Sequence, residues 1–177
     1  MTEIYVHPSG GKLYIGDDND FTKTEDKSGF SFVRCCKEGP GGHRALLGYK
    51  TVGAPKDSHY QYVIKGNILA INILDLDDPH FMPDDGIDHA LEFIGKKLAD
   101  GNNVLVACNQ GHSRGPSVAL LYLETIGEFR NDVFRNAEKV MKALYPKYDP
   151  GQGVEQYTKM KYAKLRYKNA TANDVQQ

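Results

Sequence analysis

The segment from Val104 to Ser117 constrains this chain more than any other. Val104-Leu105-Val106-Ala107 is a short apolar run of the kind that forms a buried strand. A polar turn, Cys108-Asn109-Gln110-Gly111-His112-Ser113-Arg114, follows directly. Pro116 then opens an apolar stretch, Val118 to Thr125, that reads as a helix. Proline suits a first helical turn, where its missing N–H would have had no partner. A buried strand that turns at once into a buried helix needs cover on both sides, which points to layered α/β architecture.

The flanking segments fit that architecture. Lys12–Gly16 and Phe30–Cys35 are β-prone, and Ile68–Leu74 is a third apolar strand. Ile87, Leu91, Ile94 and Leu98 are spaced by four, three and four, one face of a helix that Asp84 or Asp85 can cap and Asp100–Asn103 ends. Further helices are predicted over Asp132–Leu144, with a stripe of Val133, Ala137, Val140, Met141 and Leu144, and over Val154–Tyr167. Strand–helix alternation predicts a mainly parallel sheet of four or five strands with helices on both faces. Residues 37–60 hold five glycines and two prolines and read as a long irregular insertion, with a β-turn hairpin around Leu46 to Tyr49.

Composition narrows the class. At 177 residues the chain suits one domain, read as 1–168 with a polar tail over 169–177. A formal charge of −1 and a pI near 6.6 predict no bulk nucleic-acid binding, which relies on clustered cations. No stretch nears the roughly 20 apolar residues of a membrane span, and the N-terminus lacks a basic start followed by an apolar run. Cys35 and Cys36 are adjacent and Cys108 is distant, so no disulfide framework is expected and a reducing, cytoplasmic location is. A monomer is the expected state. Five of the ten residues from Lys159 to Lys168 are basic, which reads as a solvated helix face, and Asn169-Ala170-Thr171 as an unused glycosylation acceptor.

The chemistry lies in the turn. Backbone N–H groups between Cys108 and Arg114 can converge on one point, where the helix N-terminus adds partial positive charge. Arg114 offers two parallel donors to a tetrahedral oxyanion such as phosphate. The same field favours a thiolate at Cys108, the nucleophilic form of cysteine. Gly111 permits the tight backbone. Nucleophile and anion receptor thus share one loop.

These residues resemble the cysteine-based phosphatases, in particular the small dual-specificity type. The family signature is His-Cys-x-x-Gly-x-Ser-Arg-Ser/Thr, often followed by Pro; this chain reads Ala107-Cys108-Asn109-Gln110-Gly111-His112-Ser113-Arg114-Gly115-Pro116. Leu13–Gly16 is similar to the family's opening strand, Ile71–Asp75 to the strand before its general-acid loop, and Tyr148–Gly153 to the turn before its last helix. The resemblance spans residues 12 to about 165. It implies attack by Cys108 on phosphorus, with Arg114 and the loop of Asn109, Gln110, Gly111, His112 and Ser113 holding the phosphate. An aspartic acid about thirty residues earlier would protonate the leaving oxygen and then activate water. Asp75 continues the strand register best, Asp77 better matches the family's spacing to the next helix, and Asp78 is third; Asp75 and Asp77 both stay open. No metal or other cofactor is implied, since arginine and amides supply the charge, and Asp77, Asp78 and His80 lack metal-ligand spacing on a regular element.

Two departures bear on rate. Ala107 replaces the family's His, removing one polar support of the loop. Gly115 replaces the Ser/Thr whose hydroxyl helps the thiolate leave, so slow turnover of the intermediate is expected. The implied substrate is a phosphotyrosine protein, with phosphoserine or phosphothreonine as an extension. The absence of basic residues at 109, 110 and 112 argues for a monophosphate. Two alternatives stand beside it: a non-catalytic phosphate-binding module, and a phosphatase for a non-protein ester. His112 reads as an exposed rim residue, and Cys35-Cys36 as an inert strand-end pair rather than a resolving thiol for Cys108.

Overall fold

A computed structural model describes residues 1–129 and 132–174 of the chain. Six strands, β1 (Thr2–Val6), β2 (Lys12–Gly16), β3 (Phe30–Arg34), β4 (Tyr62–Lys65), β5 (Ile68–Ile71) and β6 (Asn103–Ala107), form one sheet in the order β1-β2-β6-β3-β5-β4. The central four are parallel, and β1 and β4 close the two edges as antiparallel hairpin partners. The sheet is thus mainly parallel as expected, with six strands rather than four or five. Both edge strands have mixed exposure and no clean apolar alternation, so neither carries a strong period-two signal.

Helices cover both faces unequally. Alternation along the strands turns Leu13, Ile15, Val33, Leu69, Ile71, Val104 and Val106 into one core with α3 (Asp84–Ala99), α4 (Arg114–Thr125), α5 (Phe134–Leu144) and α6 (Gln152–Asp174). The opposite face is smaller: Phe32, Leu105 and Ala107 pack under Phe21 of α1 (Asp18–Thr24). Every residue of α4 from Gly115 to Glu124 is buried, as an apolar helix packed between the sheet and α6 requires. Full burial of each Leu or Val there contributes about 1.5–3 kcal/mol. That anchorage fixes the helix whose first residue is Arg114.

Several local readings change. Asp17 to Asp20 do not merely end β2. Asp17 caps α1, accepting from the Asp20 N–H at 3.0 Å, while the Asp20 carboxylate accepts from the Asp17 N–H, a reciprocal capping box. Pro83, not Asp84 or Asp85, stands at the cap of α3, and the two acids occupy its first turn, favourable near the positive end of the dipole. Residues 46–49 form no hairpin: α2 (His43–Leu47) ends on Gly48 in the left-handed conformation. α5 starts at Phe134, two residues after Asp132. α6 runs to Asp174, beyond Tyr167 and into the segment read as a tail; its residues 175–177 lie outside the described residues. No helix among the described residues is long and apolar enough to cross a membrane.

The 37–60 insertion is cross-linked internally by its own polar side chains. Lys37 and Arg44 both donate to the Val52 carbonyl, and buried His43 bridges the Tyr49 hydroxyl (3.2 Å) and the His59 carbonyl (2.6 Å). Burial lowers the His43 pKa from its ordinary 6.5, so the folded protein resists a proton that the unfolded chain accepts. Stability is therefore lost as pH falls through the ordinary imidazole range. Urea unfolding at pH 7 and pH 5 is expected to show a drop that is smaller in His43→Gln; equal drops in both proteins would remove His43 as the cause.

Candidate active site

β2, β6 and β3 end level with one another: Gly16 and Arg34 are both in register with Ala107. Cys108 follows at the carboxyl end of a central strand, where ligands bind in open parallel sheets. It is 2% exposed and packs in the same core as Cys35, the residue that follows β3. All three cysteines are free and buried. Burial pushes the Cys35 thiol well up and the Cys36 thiol to about 11.

The turn after Cys108 is shaped by close backbone contacts. Gly111 has φ +76, and a Cβ there would lie 3.0 Å from the Gly16 carbonyl oxygen, so glycine is required twice over. Among the described residues, none of the N–H groups of residues 109–113 donates to a backbone carbonyl. That leaves a run of donors for an anion at the head of α4. The turn before α6 braces the loop from outside: the Asp149 N–H donates to the His112 carbonyl (2.8 Å), and the Tyr148 and Ser117 hydroxyls lie 3.1 Å apart.

Arg114 lies across the site, its side chain 12% exposed. Nη1 donates to the Ile73 carbonyl (3.3 Å) and Nη2 to Asn109 Oδ1 (3.0 Å). Nε is buried without a hydrogen bond, 3.4 Å from Asp75 Oδ2. A donor so placed is costly unless an acceptor arrives, which is what an oxyanion supplies.

Of the three candidate acids, Asp75 is the one in contact with the loop. Besides facing Arg114, it accepts from Ser113 Oγ at 3.2 Å, and Ser113 Oγ in turn accepts from the Gly151 N–H at 3.2 Å. Asp78 is committed elsewhere: it caps a 3₁₀ turn, Pro79–Phe81, and pairs with His80, and the hydrogen bonds from His80 lower its pKa. Asp77 is exposed. Its backbone passes so close to α6 that a Cβ on Gly153 would lie 2.1 Å from the Leu76 carbonyl oxygen. Gly153 thereby lets α6 press on the loop that carries these acids.

The remaining predicted residues divide by surroundings. Gln110 is exposed and His112 half-buried. The Asn109 and Ser113 side chains are hydrogen-bonded to protein groups, so these residues can offer a ligand their backbone N–H groups. At the first departure, Ala107 packs with Phe21 and Phe32, in register with Arg34, whose guanidinium lies 4.6 Å from the Phe21 ring centroid. At the second, a Cβ on Gly115 would lie 3.1 Å from the Cys108 nitrogen, a contact tighter than side chains ordinarily make. Sequence reasoning missed Arg34 and Asp18. A charged residue within the apolar strand Phe30–Cys35 was the available signal, since buried charges need partners.

The fold is similar to that of solved dual-specificity phosphatases. Human DUSP28 superposes with a TM-score of 0.62 at 18% identity, over 94% of this chain and 96% of that one. DUSP15 gives 0.61 at 21% identity, over 94% of each chain. The human tyrosine phosphatase-like serine/threonine/tyrosine-interacting protein gives 0.59 at 17%, over 96% of this chain and 98% of that one. No family model and no curated protein sequence matches this chain.

Proposed function

We propose that this protein is a cysteine-dependent phosphoric monoester hydrolase acting on phosphotyrosine in proteins, with phosphoserine and phosphothreonine as further substrates. The observation that carries this reading is Arg114 Nε, a buried donor without a hydrogen bond, set in the loop that Cys108 opens. A phosphate dianion seated there would accept from Nε and the loop N–H groups and displace Asp75 as the partner of Arg114. The Cys108 thiolate then attacks phosphorus opposite the leaving oxygen. The P–S bond forms as the P–O bond breaks, and Asp75 passes its proton to the departing phenolate or alkoxide. In the second step Asp75 accepts a proton from water as the water oxygen attacks phosphorus and the thiolate leaves.

Exposed Leu74 and Leu76 flank Asp75 on its loop and suit an aromatic leaving group on a polypeptide. The buried free cysteines suit a reducing, cytoplasmic setting. Gly115 favours a second reading, a phosphate-binding protein without turnover, because no hydroxyl at 115 assists the leaving thiolate.

Rapid mixing with an aryl phosphate tests both readings. The expected result is a burst of phenol close to one equivalent, slower steady release, and phosphate on Cys108 after acid quench, located by mass spectrometry. Phosphopeptide binding with no phenol release at all would establish the second reading instead.

A further inference from the structure

Beyond the groups that would touch phosphate, a polar chain runs from the loop through the sheet's minor face. It starts at Arg34, which is fully buried and ion-paired with Asp18. Arg34 Nε donates to the Pro40 carbonyl (2.9 Å). Asp18 Oδ2 accepts from Asn109 Nδ2 at 3.2 Å, and the Asp18 N–H donates to the Asn109 carbonyl at 3.2 Å. Asn109 Nδ2 also donates to the Glu38 carbonyl at 2.9 Å. With both acceptors on the nitrogen side, the amide has one orientation left, and its oxygen accepts from Arg114 Nη2 at 3.0 Å.

We propose that Asn109 is a positioning residue that orients Arg114, locked in turn by Asp18 and the buried charge of Arg34. The inference rests on the hydrolase reading only for its kinetic arm. An arginine side chain is rich in rotamers, and a guanidinium pinned before the ligand arrives has less freedom to lose. Nη1 is already held by the Ile73 carbonyl, so the bond from Asn109 fixes the second corner and leaves Nε as the open donor. Room for the amide is built in: at Gly39, φ +98, a Cβ would lie 2.7 Å from Asn109 Nδ2. The chain also stands where the family's histidine is missing, because Arg34 is the cross-strand neighbour of Ala107. Asn109 is therefore held away from substrate contact through its side chain, and its effect passes through Arg114.

The test measures oxyanion binding apart from turnover. Tungstate is titrated calorimetrically into Cys108→Ser and into Cys108→Ser carrying Asn109→Ala, and kcat/KM is measured for Asn109→Ala with aryl phosphates of good and poor leaving ability. Expected are a loss of about ten-fold in tungstate affinity and a similar loss in kcat/KM, equal across leaving groups, in a variant that still melts cooperatively. Asn109→Ser, too short to span Arg114 and Asp18, replaces Asn109→Ala if the latter fails to fold. Unchanged tungstate affinity overturns the inference and leaves the hydrolase reading intact. A loss of about ten-fold in tungstate affinity, alongside a wild type that shows no turnover, supports the inference while ending the hydrolase reading. Failure of the parent to bind tungstate overturns both.

Discussion

Cys108→Ser is expected to abolish aryl phosphate hydrolysis, lowering kcat by at least about 10⁴-fold, the scale on which loss of a nucleophile registers when catalytic groups act as a unit. The substitution exchanges sulfur for oxygen at a site 2% exposed, so packing changes little and folding should survive. What changes is the nucleophile. A serine hydroxyl needs a base to take its proton, and the groups placed around the loop serve other ends. Asp75, the carboxylate in contact with the loop, faces Arg114 and Ser113. Arg114 and the free N–H groups are untouched, so tungstate binding should persist while turnover is lost. A variant that kept even a tenth of the wild-type rate would mean that the bond to phosphorus is made by some other atom, and the scheme built on Cys108 would fall.

The parts of this molecule that were legible in the sequence are those whose cause is local. The β6 strand, its turn and α4 could be read because an apolar run, a glycine that only a left-handed backbone position requires, and a proline in a first turn each carry their own explanation. α3 could be read because Ile87, Leu91, Ile94 and Leu98 are all buried on one face. Short elements were lost for want of a period. α2 has five residues, and β4 has four with only Val63 buried. α1 was hidden by its own start, since four polar residues after β2 look like the end of a strand until Asp17 and Asp20 are seen to cap each other's backbone.

The same division runs through the site. Cys108 and Arg114 are six residues apart and announce each other. The hydrogen bonds of Asn109 to Asp18 and Glu38 span 91 and 71 positions, and those of Arg114 to Ile73 and of Ser113 to Asp75 span 41 and 38. No periodicity encodes such pairings; they follow from strand order, which brings the ends of β2, β6 and β3 to one level. This is also why Asn109 and Ser113 looked like ligand contacts in the sequence, where only their place in the loop was visible.

Asp75→Asn is expected to lower kcat by about 10²- to 10³-fold with aryl phosphates of poor leaving ability, within the range of general acid catalysis, and by much less with a nitrophenyl ester that leaves unaided. Asp77→Asn should stay within about three-fold for both substrates. The difference follows from where the carboxylates sit. Asp75 is held by the Ser113 hydroxyl and faces Arg114, whose guanidinium is the group a phosphate would occupy, so arrival of the dianion leaves Asp75 beside the leaving oxygen. Asp77 lies two residues further along an exposed loop, pressed by its backbone rather than its side chain against α6. Asparagine keeps the size of the side chain and can still accept from Ser113, so the loss reports the missing proton and not a collapsed loop. The dependence on leaving group is the decisive measurement: a positional defect slows every ester alike, whereas a lost proton donor slows those that cannot depart as anions. If Asp77→Asn carried the leaving-group dependence and Asp75→Asn did not, the acid would be Asp77, and the loop would have to move by two residues' length on binding to deliver it.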